Sequence, residues 1–243
     1  MKKDNGHGNA KDRIVEAAVK LFSKKGYDGA RVDEIARAAD VNKALIYYYF
    51  PSKQTILNYV VNAFFDEMTT LGMGFIQDTI VSMIEDGSLD ILPDRMRFST
   101  VDGIKRFKED IFSYCKHVLR YMIDKRDVLR IILSETLRGG EQGDALFRFF
   151  MMAGETNNNN PFFAAISSAD SDFTYSTEVI FRKFYFALMP MINFVVFYEE
   201  YQAASGLGDD ELLRYYLRAL DALYAGYFSG QDLMMETVGD MYF

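Results

Sequence analysis

Between Arg31 and Lys53 the chain reads Arg-Val-Asp-Glu-Ile-Ala-Arg-Ala-Ala-Asp-Val-Asn-Lys-Ala-Leu-Ile-Tyr-Tyr-Tyr-Phe-Pro-Ser-Lys. Two kinds of group alternate there. Arg31, Asn42, Lys43 and Lys53 offer N–H donors that suit phosphates and base edges. Ala44, Leu45, Tyr47, Tyr48 and Tyr49 offer methyl and aromatic surface for thymine methyls, with hydroxyls for phosphates or bases. At about 100° per helical residue, Ile46 and Phe50 fall on one side. Ala44, Leu45, Tyr47 and Tyr48 sweep the other, with Lys43 and Tyr49 at its flanks. An exposed Ala-Leu-Tyr-Tyr face does nothing for a fold by itself; in the major groove of DNA it has a use. Packing of the tyrosines and an ordinary surface role for the two lysines are the competing readings.

These residues need short helices to present them. Lys11 to Lys25 places Ile14, Ala18, Leu21 and Phe22 on one helical stripe, and Gly26 ends it. Val32, Ile35, Ala36 and Ala39 mark a second, shorter helix. Ala39 to Asn42 is the turn, where Asp40 tolerates left-handed geometry and Asn42 caps the third helix. Pro51-Ser52 breaks that helix, and Ser52 caps a fourth that starts at Lys53 and runs to about Gly72. Leu21, Phe22, Ile35, Ile46 and Phe50 form the expected small core. Lys43, near the start of the third helix, is placed for a guanine or a phosphate. Lys53 lies where the helix macrodipole disfavours a cation, which suits a phosphate that also accepts from the helix's free N–H groups.

This stretch resembles the TetR family of bacterial transcriptional regulators, most strongly over residues 11–60. The likeness rests on Ile14-Val-Glu-Ala-Ala-Val-Lys-Leu-Phe22, Gly26-Tyr27, Ile35-Ala36 and above all Ile46-Tyr-Tyr-Tyr-Phe-Pro-Ser-Lys53. It implies an all-α protein with an N-terminal three-helix helix-turn-helix domain and a larger helical effector-binding and dimerisation domain. The expected division is a flexible tail at 1–10, the DNA-binding domain at 11–60 and the body at 61–243. Two positions depart from the family pattern. Ala30 and Arg31 replace the usual Thr and Ser or Thr at the start of helix two; Ala30 cannot cap, a loss of about 1 kcal/mol, while Arg31 can reach a phosphate. Asp40 replaces the turn glycine.

Charge divides the chain in the same place. Residues 1–53 hold 11 Lys or Arg against 7 Asp or Glu, net +4; the remainder holds 16 against 28, net −12. A basic head on an acidic body fits a phosphate-binding module joined to a domain of another kind. Scarce prolines and few β-branched runs favour helices throughout. Helices are expected near 74–86, 103–124, 126–138, 143–153, 174–203 and 209–229. Loops are expected at 85–94, 139–144, 154–161 and 205–210, with Asn157 to Asn160 solvated. There are no internal repeats.

The single Cys115 excludes an intrachain disulfide and any cysteine-based zinc site, and suits a reducing compartment. With no apolar leader and a longest apolar run of only 15 residues, Phe184 to Tyr198, a cytoplasmic, nucleoid-associated protein is expected, with no membrane partner. Cys115 with His117 reads as a buried pair rather than a sensor. No glycine-rich phosphate loop, acid–base constellation or metal-ligand spacing is present, so neither an enzyme nor a cofactor is expected. The last two long helices, apolar over wide faces, read as half of a homodimer interface. The family resemblance implies an effector cavity in the body. Phe64, Phe65, Met68, Phe112, Tyr114, Tyr121, Met122, Phe147, Phe149, Phe150, Met151 and Met152 suit a lipophilic or aromatic effector, and the surplus carboxylates a cationic one. Most of them belong to the core, so no pocket residue is assigned. The alternative is a DNA-binding interaction protein that senses no small molecule.

Overall fold

The computed structural model describes residues 9–229 except 94–95, 141, 155–158, 175, 177–179 and 182. The expected tail therefore lies almost wholly outside the described residues, and the first helix already starts at Ala10. That helix, α1 (Ala10–Gly29), is opened by Asn9, whose side chain accepts from the backbone N–H of Lys11 and Asp12. Gly26 interrupts it at φ 73°, where the sequence places the stop, and one further turn follows. α2 (Val32–Ala38) and α3 (Lys43–Tyr49) come next, joined by a turn in which Asp40 takes φ 52°. Ile14, Ala18, Phe22, Ile35, Ile46 and Phe50 are all buried between these helices; Leu21 is only partly so.

α4 (Lys53–Phe75) does not stop at Gly72. It continues through a π-helical stretch, Ile76–Val81, into α5 (Ser82–Glu85). Gly72 is a packing glycine: a Cβ there would stand 2.9 Å from the ring of Phe162. Phe162 belongs to a helix that the sequence reading leaves unassigned, α9 (Pro161–Ala169). Asn160 caps it by accepting from Phe162 N–H, and Pro161 opens it. Asn160 is thus a buried cap and not part of a solvated run.

The all-helical plan has one exception among the described residues. Within the segment expected to be a loop, β1 (Leu89–Ile91) pairs antiparallel with β2 (Met96–Phe98), which lies just beyond it, Leu89 opposite Phe98 and Ile91 opposite Met96. Its apolar side closes a satellite core of Ile80, Met83, Phe107, Ile166 and Phe173 at the end of the body.

The main body consists of α6 (Val101–Asp124), α7 (Arg126–Arg138), α8 (Ala145–Gly154), α10 (Met189–Val196), α11 (Tyr198–Ser205) and α12 (Asp209–Ser229). The helix expected at 174–203 is broken. Pro190 has no N–H for the carbonyl of Phe186 and its ring crowds that oxygen, and the backbone is widened into a π-helical stretch at Lys183–Leu188. A second break falls at Phe197, φ −104° and ψ 24°. One continuous apolar cluster runs from Ile14 in α1 to Leu220 in α12, and α1 lies against α7.

Candidate nucleic-acid interface

α3 is short because its ends are fixed by side chains. Asn42 accepts from Leu45 N–H at 2.8 Å, and Phe50 leaves the helix in an extended conformation. Ile46 (1% exposed) and Phe50 (3%) anchor it against α1 and α2, which turns the opposite face outward. There Tyr48 is 78% exposed, Tyr47 45% and Tyr49 37%. Ala44 is exposed and Leu45 half-buried. Tyr49 meets Tyr48 edge-on at 5.1 Å, so it braces its neighbour while keeping its hydroxyl near the surface. All five apolar and aromatic candidates therefore lie on one helix with its anchor behind it.

The polar candidates are placed less simply. Arg31 is exposed at the N-terminus of α2, and its backbone N–H is accepted by Glu34 at 3.3 Å. Arg31 and not Ala30 is thus the N-cap of α2, with the Glu34 carboxylate reaching back to its N–H, and Ala30 is buried. Glu34 also accepts from Lys25 at 2.8 Å; that bond first, then the Arg31 N–H, holds its carboxyl below the usual range. Asn42 spends its side-chain oxygen on the cap of α3, which leaves its amide N–H groups for a partner. Lys43 is exposed but pairs with Asp33 of α2 at 2.8 Å, and this hydrogen bond raises its ammonium above the ordinary lysine value.

Lys53 departs most from expectation. Its ammonium turns back to donate to the carbonyls of Tyr27 (2.7 Å) and Ala30 (3.1 Å), 4.1 Å over the Tyr27 ring. Two of the N–H groups at the start of α4 are met by its own cap: Ser52 accepts from Thr55 N–H and Thr55 Oγ1 accepts from Ser52 N–H. Lys53 therefore ties the end of α1 to the start of α4, and one of its three protons is left for a phosphate. The roles of Asp33 and Tyr27 escape sequence reading, because Asp33 meets Lys43 across the turn between α2 and α3, and Tyr27 meets Lys53 from the far side of both helices.

Away from the head, the sequence candidates separate. Cys115 is buried, but His117, two residues on, points to the opposite side of α6 and is exposed, with Nδ1 2.7 Å from the carbonyl of Ser113. The two are not a buried pair. Phe64, Phe65, Met68, Met122 and Phe149 are buried, with Phe65 and Phe149 at 4.8 Å and Tyr121 stacked on Phe64. Phe147 and Met151 are about half exposed. The side chain of Met152 lies outside the described residues. Two of the surface depressions among the described residues bear on an effector site. One of 360 Å³ lies between α7 and Phe197, and one of 230 Å³ beside Thr69 and Arg148. Among the described residues no three metal-binding side chains cluster, and no helix is long and apolar enough to cross a membrane.

Comparison with known proteins bears on the same part of the chain. Residues 14–60 match the model of bacterial regulatory proteins of the tetR family. Over 63 residues, 26% of this chain, the sequence is 43% identical to the biofilm operon icaADBC HTH-type negative transcriptional regulator IcaR of Staphylococcus aureus, covering 34% of that protein. It is 47% identical over 58 residues, 24% of this chain and 28% of the other, to the probable HTH-type transcriptional regulator YttP of Bacillus subtilis. The chain thus spans about a third of the length of the curated relatives it matches. Along nearly its whole length the fold is similar to that of a TetR-like transcriptional regulator from Rhodococcus sp. RHA1. The TM-score is 0.52 over 93% of this chain and 99% of that one, at 13% identity. That likeness is one of fold alone.

Proposed function

We propose that this chain, whose head is a tetR-family DNA-binding domain, acts as a homodimeric repressor on a palindromic operator, released by a small-molecule effector. The observation that carries the reading is the outward face of α3, where Ala44, Tyr47 and Tyr48 stand exposed between cationic groups while Ile46 and Phe50 anchor them from behind. In this reading α3 enters the major groove. Ala44, Leu45 and Lys43 meet base edges; Arg31, Asn42, Tyr47, Tyr48 and Tyr49 reach phosphates or bases; Lys53 gives its remaining proton to a phosphate.

A seven-residue helix reads too few bases for tight binding alone, and a second head on a shared body makes the second contact effectively intramolecular. The surface available for pairing supports this. Phe197, Tyr201, Tyr215 and Leu223 are each 41–47% exposed on α11, α12 and the break before them, and Ala219 and Ala222 are exposed beside them. Leu217, in contrast, is buried within the protomer and serves its fold. The effector, lipophilic, aromatic or cationic, acts by population shift: it favours a body conformation in which α4 carries the two heads away from a spacing of about 34 Å. The mutual ring packing of Phe64, Phe65, Tyr121 and Phe149 favours a second reading, a DNA-binding interaction protein that senses no small molecule.

Selection from a pool of random duplexes, followed by titration against salt, tests the DNA contact. Affinity should fall with a log–log slope of about 0.9 per phosphate contacted; a flat dependence rejects it. Sedimentation of Ala222→Arg tests the dimer. Expected are monomers that lose the selected duplex with the head still folded; a variant that stays dimeric places the pairing surface elsewhere, and a monomer that binds undiminished shows that pairing is not needed.

A further inference from the structure

We infer that Asp33 is a specificity-determining residue, which holds the Lys43 ammonium over the groove and away from the phosphates. The inference rests on the DNA-binding reading above and concerns the same surface. Asp33 stands in the first turn of α2 and Lys43 at the first residue of α3, so the 2.8 Å contact bridges the two helices of the motif at its outer edge. Both side chains are well exposed, 63% and 49%. An ion pair so exposed contributes little to stability. A carboxylate on the face that meets DNA also repels every phosphate near it. Its place in the first turn of α2 suits the helix dipole, but that does not call for a reach across to Lys43, and neither the fold nor raw affinity accounts for the pairing.

Discrimination does. A free lysine head sweeps a wide arc on its four-carbon stem and settles on the nearest phosphate, which carries no sequence information. Pinned to Asp33, the ammonium keeps two N–H donors, enough for O6 and N7 of a guanine, and stays at the start of the recognition helix. On a duplex without acceptors there, the carboxylate faces the backbone with nothing gained. Asp33 thus weakens unrelated complexes more than the cognate one, which is how a repulsive group creates specificity. Lys25 and Glu34 form a second bridge about 100° round α2 from Asp33, which fastens that helix to α1 without the carboxylate beside Lys43.

The test uses the full chain, a duplex enriched from a random pool by the wild type, and a scrambled duplex of equal length. Asp33→Asn should bind the scrambled duplex about five- to tenfold more tightly, with a salt slope steeper by about one as Lys43 takes a phosphate. Affinity for the enriched duplex should stay within about twofold. Asp33→Glu should keep the wild-type ratio. In a Lys43→Ala background, Asp33→Asn should shift both duplexes equally, since only bulk charge then changes. An equal shift with Lys43 present overturns the inference, as does no shift. Asp33→Ser removes the charge with another residue tolerated in a first helical turn; if both neutral variants unfold the head, the pair is structural and the inference falls. If the wild type enriches no duplex, the DNA-binding reading itself fails, which is a distinct result.

Discussion

Head and body are both helical and share one apolar cluster, yet their helices are held in different ways. In the head, α1, α3 and α4 each start with a side chain folded onto the first turn: Asn9, Asn42 and Ser52. α2 uses Glu34 from within. In the body, α6 and α9 are capped by Thr100 and Asn160, but α7, α10 and α11 have no side-chain cap, and two stretches are π-helical. Instead, body helices are held by rings and arginines from distant segments: Arg130 donates to the carbonyl of Val196 and to Glu200, and Phe194 stacks on Tyr216 at 4.0 Å. A reading head must keep one shape whatever the body does, and local capping secures that.

The contrast breaks if the shared cluster does not bind the halves together. Phe22→Ala empties a site that is 1% exposed and should cost about 3–5 kcal/mol. Because the cluster is continuous into α7 and α12, denaturant melts followed by circular dichroism should show one earlier transition. Two transitions would make the head an independent unit.

Two glycines of α4 sharpen the body side. Gly72→Ala drives a methyl into the Phe162 ring and should destabilise by about 1–3 kcal/mol. Gly74, with nothing within 4 Å of a Cβ, should gain up to about 1 kcal/mol as alanine. Equal effects in thermal melts would remove the packing explanation.

On the head side, Asn42→Ala deletes a cap and should cost about 1 kcal/mol, with a larger loss of DNA affinity because α3 carries the contacts. The smallest effect is that of acid. Glu34 has its carboxyl held below its ordinary value of 4.5 by Lys25 and the Arg31 N–H. Its contribution is full above 4.5 and is lost as pH falls through the lower folded value. Glu34→Gln should flatten that part of the pH–stability curve, and an unchanged curve would assign the cap elsewhere.

How far the sequence is readable follows the same division. Ile46 and Phe50 against Tyr47 and Tyr48, the Asn42 cap and the Asp40 turn are legible because each depends on neighbours within four residues. Gly72 misleads because the same residue type ends helices and admits rings, and only Phe162, ninety residues on, decides which. Leu89-Asp-Ile and Met96-Arg-Phe alternate as strands do but are three residues each, too short to stand out. Asn160-Pro161 carries a helix-start signal, hidden at the end of an asparagine run. Lys53 is placed by type correctly at the helix start, yet the carbonyls of Tyr27 in α1 and of Ala30 just beyond it claim it.

The unbroken run from Lys53 to Glu85 has a consequence for how the chain can change length over generations. At about 1.5 Å per residue these 33 residues reach about 50 Å from the head to the hairpin. Asn58, Asn62, Phe65 and Gly72 hold Gln142, Arg148, Phe149 and Phe162 in succession along it. One inserted residue would turn everything before it by about 100° relative to everything after. Either the head or these contacts would then face the wrong way. Insertions and deletions should therefore be purged between Lys53 and Gly72, and lineages of this protein should differ in length at surface turns such as Ser205–Gly208.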